Sequence, residues 1–437
     1  MSARIKFWAA VVVLTGAVGL VGGVDRAAGE NLAAPKDWPQ WRGPNRDGIS
    51  TETGLLREWT TEPALLWKKS GLGRGYTSVV IVDGVIYTAG KRKDTSYAIA
   101  MDEADGTEKW AVQIGREKDE NPRGSPTVDG DRVYYIGAEG MLVCLKRADG
   151  AVVWTKDLAK EFGARVMSVW KFCESPLIDG DRLICTPGIG DATLVCLNKL
   201  SGELVWKCAV PKVGDRGGDG AGYSSVVISH GAGVKQYVQL LGRGLVGVRA
   251  DDGKYLWGYN RVANGTANIP TPIPDGDFVF CSSGYGTGAG LVKLSKDGDG
   301  VKAEEVYFLG GKEFQNHHGG MIKLGKHIYA GHGNNQGFPT CLEMETGKVA
   351  WQHLERNEPG SGSAAIVYAE DRLYFRYQDG TMALLDASPE GFKLRGKFKI
   401  PGAGGDSWAH PVVLHGKLFL REHDNLFVYD ISRKDGN

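Results

Sequence analysis

The sequence accumulates no charge of either sign: 52 Lys and Arg are balanced by 52 Asp and Glu. It has no run of five or more like charges. Such a chain generates no large field to draw in nucleic acid, so no nucleic-acid partner is expected. Nucleophile signatures are also missing. There is no G-x-S-x-G and no H-E-x-x-H, so hydrolase or lyase chemistry has no motif behind it. Apolar runs long enough to span a bilayer are absent beyond the N-terminus. At that end Arg4 and Lys6 precede an apolar stretch over residues 7–24, broken only by Thr15. Ala27 and Gly29 then supply small residues before Glu30. This reads as an export signal over residues 1–29, cleaved before Glu30. Retention as an uncleaved anchor is the alternative and the one expected route to a membrane. No Cys stands near the cut, which argues against a lipid anchor. The protein is therefore expected outside the cytoplasm, in the periplasm or an equivalent space.

Cysteine is scarce and odd in number, seven in all. An exported chain with an odd count would normally signal disulfides and a spare thiol. Here position argues otherwise. Cys144, Cys196 and Cys341 share one context (LVCLKRADG, LVCLNKLSG, PTCLEMETG), and Cys185 and Cys281 share another. Equivalent slots point into equivalent packed layers, so free, buried, structural cysteines are expected.

Glycine is abundant, 64 residues, about twice the usual share. Much of it marks a repeat. Tight turns recur at Asp83-Gly84, Asp129-Gly130, Asp179-Gly180, His230-Gly231, Asp275-Gly276, Leu324-Gly325, Glu370-Asp371 and His415-Gly416. Their spacing is about 47 residues, a propeller-blade length. Short β-branched and aromatic runs flank them, the pattern of hairpins. Five units also carry a Gly followed four residues later by Trp: Gly106/Trp110, Gly150/Trp154, Gly202/Trp206, Gly253/Trp257 and Gly347/Trp351. The segments MDEADGTEKW, LKRADGAVVW, LNKLSGELVW, VRADDGKYLW and LEMETGKVAW resemble the pyrroloquinoline-quinone (PQQ) type propeller repeat, A-x-D-x-x-T-G-x-x-x-W. The likeness extends from Ala64 to Ser432. It implies an all-β, eight-bladed β-propeller of four-stranded antiparallel blades, with each Trp buried between neighbours. Units five and seven lack the Trp and should pack more loosely or differently. The last unit has three strands and no docking Trp. The segment Ala64-Leu65-Leu66-Trp67-Lys68 is expected to supply its fourth strand and close the ring. Residues 30–63, with Trp38, Trp41 and Trp59, form an arm expected to pack its aromatics over the ring rather than to contact ligand. The propeller itself would span 64–437.

Loop length separates the two faces. One carries tight turns. The other carries GIGDA, SGYGTGAG, GHGNNQGFP, GREKDENPRGS, KEFGARVMSVWKFCES, PKVGDRGGDGAGYS and EFQNHHGG. Long loops on a rigid frame are where sites are built. Residues just before each innermost strand should line the mouth of the axial channel there. These are Arg74 and Tyr76, Arg123 and Ser125, Trp170 and Glu174, Tyr223, Asn268, Asn316 with His317 and His318, Ser363, and Trp408 with His410. The ligand-binding candidates are Arg74, Tyr76, Arg123, Trp170, Glu174, Asn316, His317, His318, Trp408 and His410. Arginine for carboxylates and aromatic rings for stacking would suit a planar anion. The alternative, polar residues that face water and satisfy loop carbonyls, stays open. Adjacent residues on an extended chain point to opposite sides, so at most one of His317 and His318 is expected to face the channel. Glu174, His317, His332 and His410 are the conceivable metal ligands, but they lie in four segments without ligand spacing.

Two functions follow from the resemblance. The first is a binding scaffold of the cell envelope, like the propeller of the outer-membrane assembly machinery, which has no cofactor. Its partner would be an envelope protein or a small-molecule ligand. The second is a quinoprotein dehydrogenase of alcohols or sugars that uses PQQ with calcium. By residue type, Glu174 and Asn316 would then hold calcium, Asp406 would act as base, and Trp170 or Trp408 would stack on the quinone. Two departures weigh against it: the chain has no Cys-Cys pair, and it lacks the length of those enzymes' covering loops. The non-enzymatic reading is adopted.

Overall fold

The computed structural model describes residues 36–115 and 120–434. The expected signal segment and its cut lie outside the described residues. Thirty-two strands form eight four-stranded antiparallel sheets in a ring, an eight-bladed β-propeller. We number the blades by their innermost strands: Val80–Val82, Thr127–Asp129, Leu177–Asp179, Val227–Ser229, Ile273–Asp275, Met321–Leu324, Ala364–Ala369 and Val412–Leu414. The first hairpins turn at the pairs seen in the sequence, except that in blade 4 the connection runs over residues 230–235 through a 3-10 turn at Gly231–Gly233. Gly84, Gly130 and Gly180 in those pairs have φ of 71°, 56° and 59°, which a Cβ would disfavour. Ala64–Lys69 pairs antiparallel with Asn425–Asp430, so the first strand completes blade 8 and closes the ring.

Each outermost pairing contains a register irregularity. A bulge there re-aims the side chain that follows it. In most blades that side chain is the docking Trp. Trp67, Trp110, Trp154 and Trp206 swing towards the next blade and pack under the glycine of that blade's third turn. An ideal Cβ on Gly202 would sit 2.9 Å from the Trp154 ring, and one on Gly106 would sit 2.9 Å from Trp67. The indole N–H caps a neighbouring carbonyl: Trp110 on Arg147 (3.0 Å), Trp154 on Lys199 (3.1 Å), Trp206 on Ala250 (3.2 Å) and Trp351 on Ser388 (2.9 Å). Trp257 instead donates to Gln236 of its own blade (2.6 Å).

The two blades without a Trp use different packing, not looser packing. In blade 5 Tyr307 takes the position. Its ring lies under Gly347 and its hydroxyl donates to Met344 O (2.5 Å). In blade 7 the position is Gly396. Trp59 of the N-terminal segment bridges it there and packs edge-on against Tyr374 and Phe398. Blade 8 receives its outer strand from the N-terminus and so has no third turn to present a glycine. Trp59 fills that space.

All seven cysteines are free, and all but Cys173 are buried, as their repeat slots implied. Among the described residues no helix is long and apolar enough to cross a membrane.

Candidate functional site

The innermost strands are short, so the backbone just before each one converges on the axis with its N–H groups unpaired in the sheet. A collar of hydroxyls satisfies them across blade boundaries. His410 N donates to Ser78 Oγ (2.7 Å), Ser78 N to Ser125 Oγ (3.2 Å) and Ser125 N to Ser175 Oγ (2.8 Å). Ser175 N donates to Ser225 Oγ (3.0 Å) and Ser225 N to Thr271 Oγ1 (3.3 Å). This collar fixes the segments that carry the site.

The N-terminal segment plugs the channel from the tight-turn side. Trp38 pairs with Ile81, Val128 N donates to Pro39 O, and Ser50 N donates to Tyr368 O. Two buried arginines pin it. Arg42 donates to Met321 O and Asp47 O; Arg46 donates to Ser175 O and Pro176 O. Trp41 is left facing the other end, edge-on to His410 (5.6 Å). The channel thereby becomes a pocket of about 420 Å³ on the loop-rich face.

The pocket brings together most of the expected mouth residues, Tyr76, Arg123, Ser125, Trp170, Tyr223, His317, His318, Trp408 and His410, and adds Asp406. Its walls are aromatic. Trp408 lies 4.7 Å from Tyr76 and 4.6 Å from His318, and Trp170 meets Tyr223 edge-on. The Arg123 guanidinium sits 5.6 Å over Tyr76. Trp408 is aimed by its own N–H, donated to Gln378 Oε1 (3.1 Å), while Gln378 donates to Asp406 (3.1 Å). Both His317 and His318 line the cavity, with rings stacked 3.6 Å apart. The expectation of one at most fails because the chain bends at His318–Gly319 and does not run extended there. Burial in this apolar setting holds His317 down at about 4 and His410 at about 3, and pushes His318 well below the usual range. All three are neutral at neutral pH.

Four candidates do not reach the pocket. Arg74 pairs through its backbone with Lys91. His332 stacks on Phe314 and accepts the Gln315 N–H (3.1 Å). Asn316 is buried and donates to Gly331 O (2.9 Å). Glu174 is buried between blades 3 and 4, bound by the Thr186 N–H and hydroxyl (2.9 Å each). The direction of its bonds is fixed. Gln239 Nε2 donates to Ser224 O (3.0 Å), so Gln239 Oε1 faces the Thr186 hydroxyl (2.6 Å) and takes its proton. Thr186 Oγ1 must then accept from Glu174, which requires a protonated carboxyl. Burial pushes Glu174 up to about 7, in agreement. Asn268 and Ser363 are also buried behind the wall, in loop and histidine contacts. The described residues place no three His, Cys, Asp or Glu together to hold a metal, so Glu174, His317, His332 and His410 do not form a centre.

Sequence reasoning missed Trp41, Tyr285, Asn334, Asn335 and Gln378, all of which line the pocket. Trp41 had been expected to pack without a ligand role. Tyr285 sits at the tip of SGYGTGAG with φ of 57°, a region non-glycine residues avoid. Its N–H donates to Asn334 Oδ1 (2.9 Å) and the next N–H to Gln315 Oε1 (2.8 Å), which hold it there.

The pocket does not fit PQQ with calcium. A tricarboxylate would find one guanidinium, Arg123. Calcium needs several charged oxygens. Glu174 is turned away, with its carboxyl pushed up to about 7 by burial, and Asn316 is outside the lining.

No curated protein matches the chain. Among solved structures, the quinohemoprotein alcohol dehydrogenase of Comamonas testosteroni is 14% identical, with a TM-score of 0.63 over 92% of this chain and 82% of that one. A europium-containing methanol dehydrogenase is 11% identical, with a TM-score of 0.62 over 89% of each. BamB from Moraxella catarrhalis is 14% identical, with a TM-score of 0.44 over 85% of this chain and 88% of that one. At these identities the likeness to the two dehydrogenases is one of fold. The family described as outer membrane protein assembly factor BamB matches residues 94–353, and the chain belongs to this family of PQQ-type propellers.

Proposed function

We propose that this chain is an exported, non-enzymatic binding protein of the cell envelope that captures a small ligand in the axial pocket of its loop-rich face. One observation carries the reading: a cavity of about 420 Å³, walled by Trp41, Tyr76, Trp170, Tyr223, Tyr285 and Trp408 and closed beneath by the N-terminal segment. That size and lining suit a small ligand. The leader-like residues 1–29 support export. The acid–base inventory supports binding over catalysis. Burial leaves the three pocket histidines weak bases, His317 at about 4 and His410 at about 3, and no carboxylate pair faces the cavity.

The test is a thermal-shift screen of the mature chain against small metabolites, with PQQ plus calcium as one arm. A bound ligand should raise the melting temperature of the wild type and leave Trp408→Ala unchanged. PQQ with calcium should give no shift. A clear rise with it, lost in Glu174→Ala or Asn316→Ala, would overturn the reading in favour of a quinoprotein.

A further inference from the structure

The direction of each hydrogen bond around the pocket can be fixed from groups that have no choice. The Ser363 N–H donates to Asn335 Oδ1 (3.1 Å), so that atom is oxygen. The Ser363 hydroxyl also lies on it (2.9 Å) and must donate. Ser363 Oγ then accepts from His317, so Nδ1 (2.8 Å) carries the proton. The opposite nitrogen, Nε2, is bare and takes the proton of the Tyr285 hydroxyl (2.9 Å). Tyr285 has thus spent its only proton inward and offers the pocket lone pairs alone. His410 behaves alike. Its Nε2 faces the His318 carbonyl (3.2 Å), which only accepts, so its Nδ1 is a bare acceptor. That Nδ1 is buried without any partner. Asp406 adds a carboxylate, and Arg123 the single full cation.

Asp406 and Arg123 offset one another, so the wall has no net charge to hold an anion, and Tyr285 requires a donor from its guest. The rings of Trp408, Trp170 and Tyr76 favour apolar faces. A molecule with flat C–H faces and a rim of hydroxyls meets both demands. We infer that the pocket is a recognition site for a neutral saccharide, stacked on Trp408 and donating a hydroxyl proton to Tyr285. This inference rests on the small-ligand reading above and names its ligand class. The neutrality of His317, imposed by burial, keeps its Nε2 free to take the Tyr285 proton at neutral pH.

The mature chain is tested on an array of neutral and acidic oligosaccharides, and the hits are titrated by tryptophan fluorescence. Neutral glycans should bind, with glucuronate-rich ones weaker. Tyr285→Phe, which removes the acceptor and keeps the ring, should weaken binding about tenfold without lowering the melting temperature. Arg74→Ala, outside the pocket, should bind as wild type. If no neutral glycan binds above the Trp408→Ala background, the saccharide assignment fails. If, in addition, the thermal-shift screen finds a non-saccharide ligand lost in Trp408→Ala, only the ligand class is wrong. If nothing in either experiment depends on Trp408, the pocket reading fails as well. Tighter binding of acidic than neutral glycans overturns the hydrogen-bond argument itself.

Discussion

Gly202→Ala tests whether indole-on-glycine contacts hold adjacent blades together. Gly202 has φ of 72°, and its Cβ would fall 2.9 Å from Trp154 of the preceding blade. Two costs are superposed. An alanine in the left-handed region costs about 1–2 kcal/mol. Displacing a packed indole adds about 1–3 kcal/mol. Gly180→Ala isolates the first cost, because Gly180 has φ of 59° and nothing within 4 Å of its Cβ. Urea unfolding should therefore place Gly202→Ala about 1–3 kcal/mol below Gly180→Ala. Trp154→Ala alone should cost about 3–5 kcal/mol. In that background the indole is gone, and Gly202→Ala should cost only its backbone share of about 1–2 kcal/mol. If Gly202→Ala costs the same with and without Trp154, to within about 0.5 kcal/mol, the contact carries no coupling and the account of blade cohesion is wrong.

Glu174 and the pocket histidines predict opposite pH dependences. Glu174 is raised to about 7 in the fold, so its contribution is complete below the ordinary carboxyl range and disappears as pH rises through about 7. Comparing unfolding midpoints at about pH 5 and about pH 8, the wild type should lose up to about 3 kcal/mol more than Glu174→Gln. Glutamine can accept the Thr186 N–H and donate to its hydroxyl, so the variant should fold. An infrared band for a protonated carboxyl at mildly acid pH should vanish in it. His317 and His410 are depressed, to about 4 and about 3, so their contribution is complete above the ordinary histidine range. It disappears as pH falls through those values. Acid unfolding followed by circular dichroism should be less steep for His317→Gln than for the wild type between about pH 6.5 and about pH 4.

The ring was legible because its signals repeat: turn pairs about 47 residues apart, a glycine and a Trp in phase, and a spare strand at one end. The substitutes were not. Nothing local marks Tyr307 as a docking residue, and Trp59 reaches Gly396 from more than three hundred residues away. At the site, position in the repeat predicted better than residue type. Residues two apart before the innermost strands face the pocket together: Tyr76 with Ser78, Arg123 with Ser125, Tyr223 with Ser225, Trp408 with His410. That is the period of extended chain. Cys173 lies on the facing side in blade 3, so its neighbour Glu174 points away. Position before the innermost strand nominates Glu174, and parity argues against it. His317 and His318 break the rule in the other direction, because the bend that follows lets both rings turn inward.

Eight similar blades leave an axial hole open at both ends, and loop length tells the two faces apart without closing either. The N-terminal segment closes one of them. It spans the tight-turn side from blade 1 to blade 7, and its buried arginines engage carbonyls of blades 3 and 6 on opposite sides of the axis. Burying two guanidiniums is unfavourable unless their protons are used, and both are lowered to about 10 by desolvation. The carbonyls they reach lie where blades converge, so the cost is offset only in the closed ring. Plug and ring therefore depend on one another. The plug turns Trp41 towards the loop-rich face, and the ring's outer strand, Ala64–Lys69, continues from the same segment. The feature that closes the last blade thus also gives the pocket its floor, so the binding site and the ring closure should form and fail together.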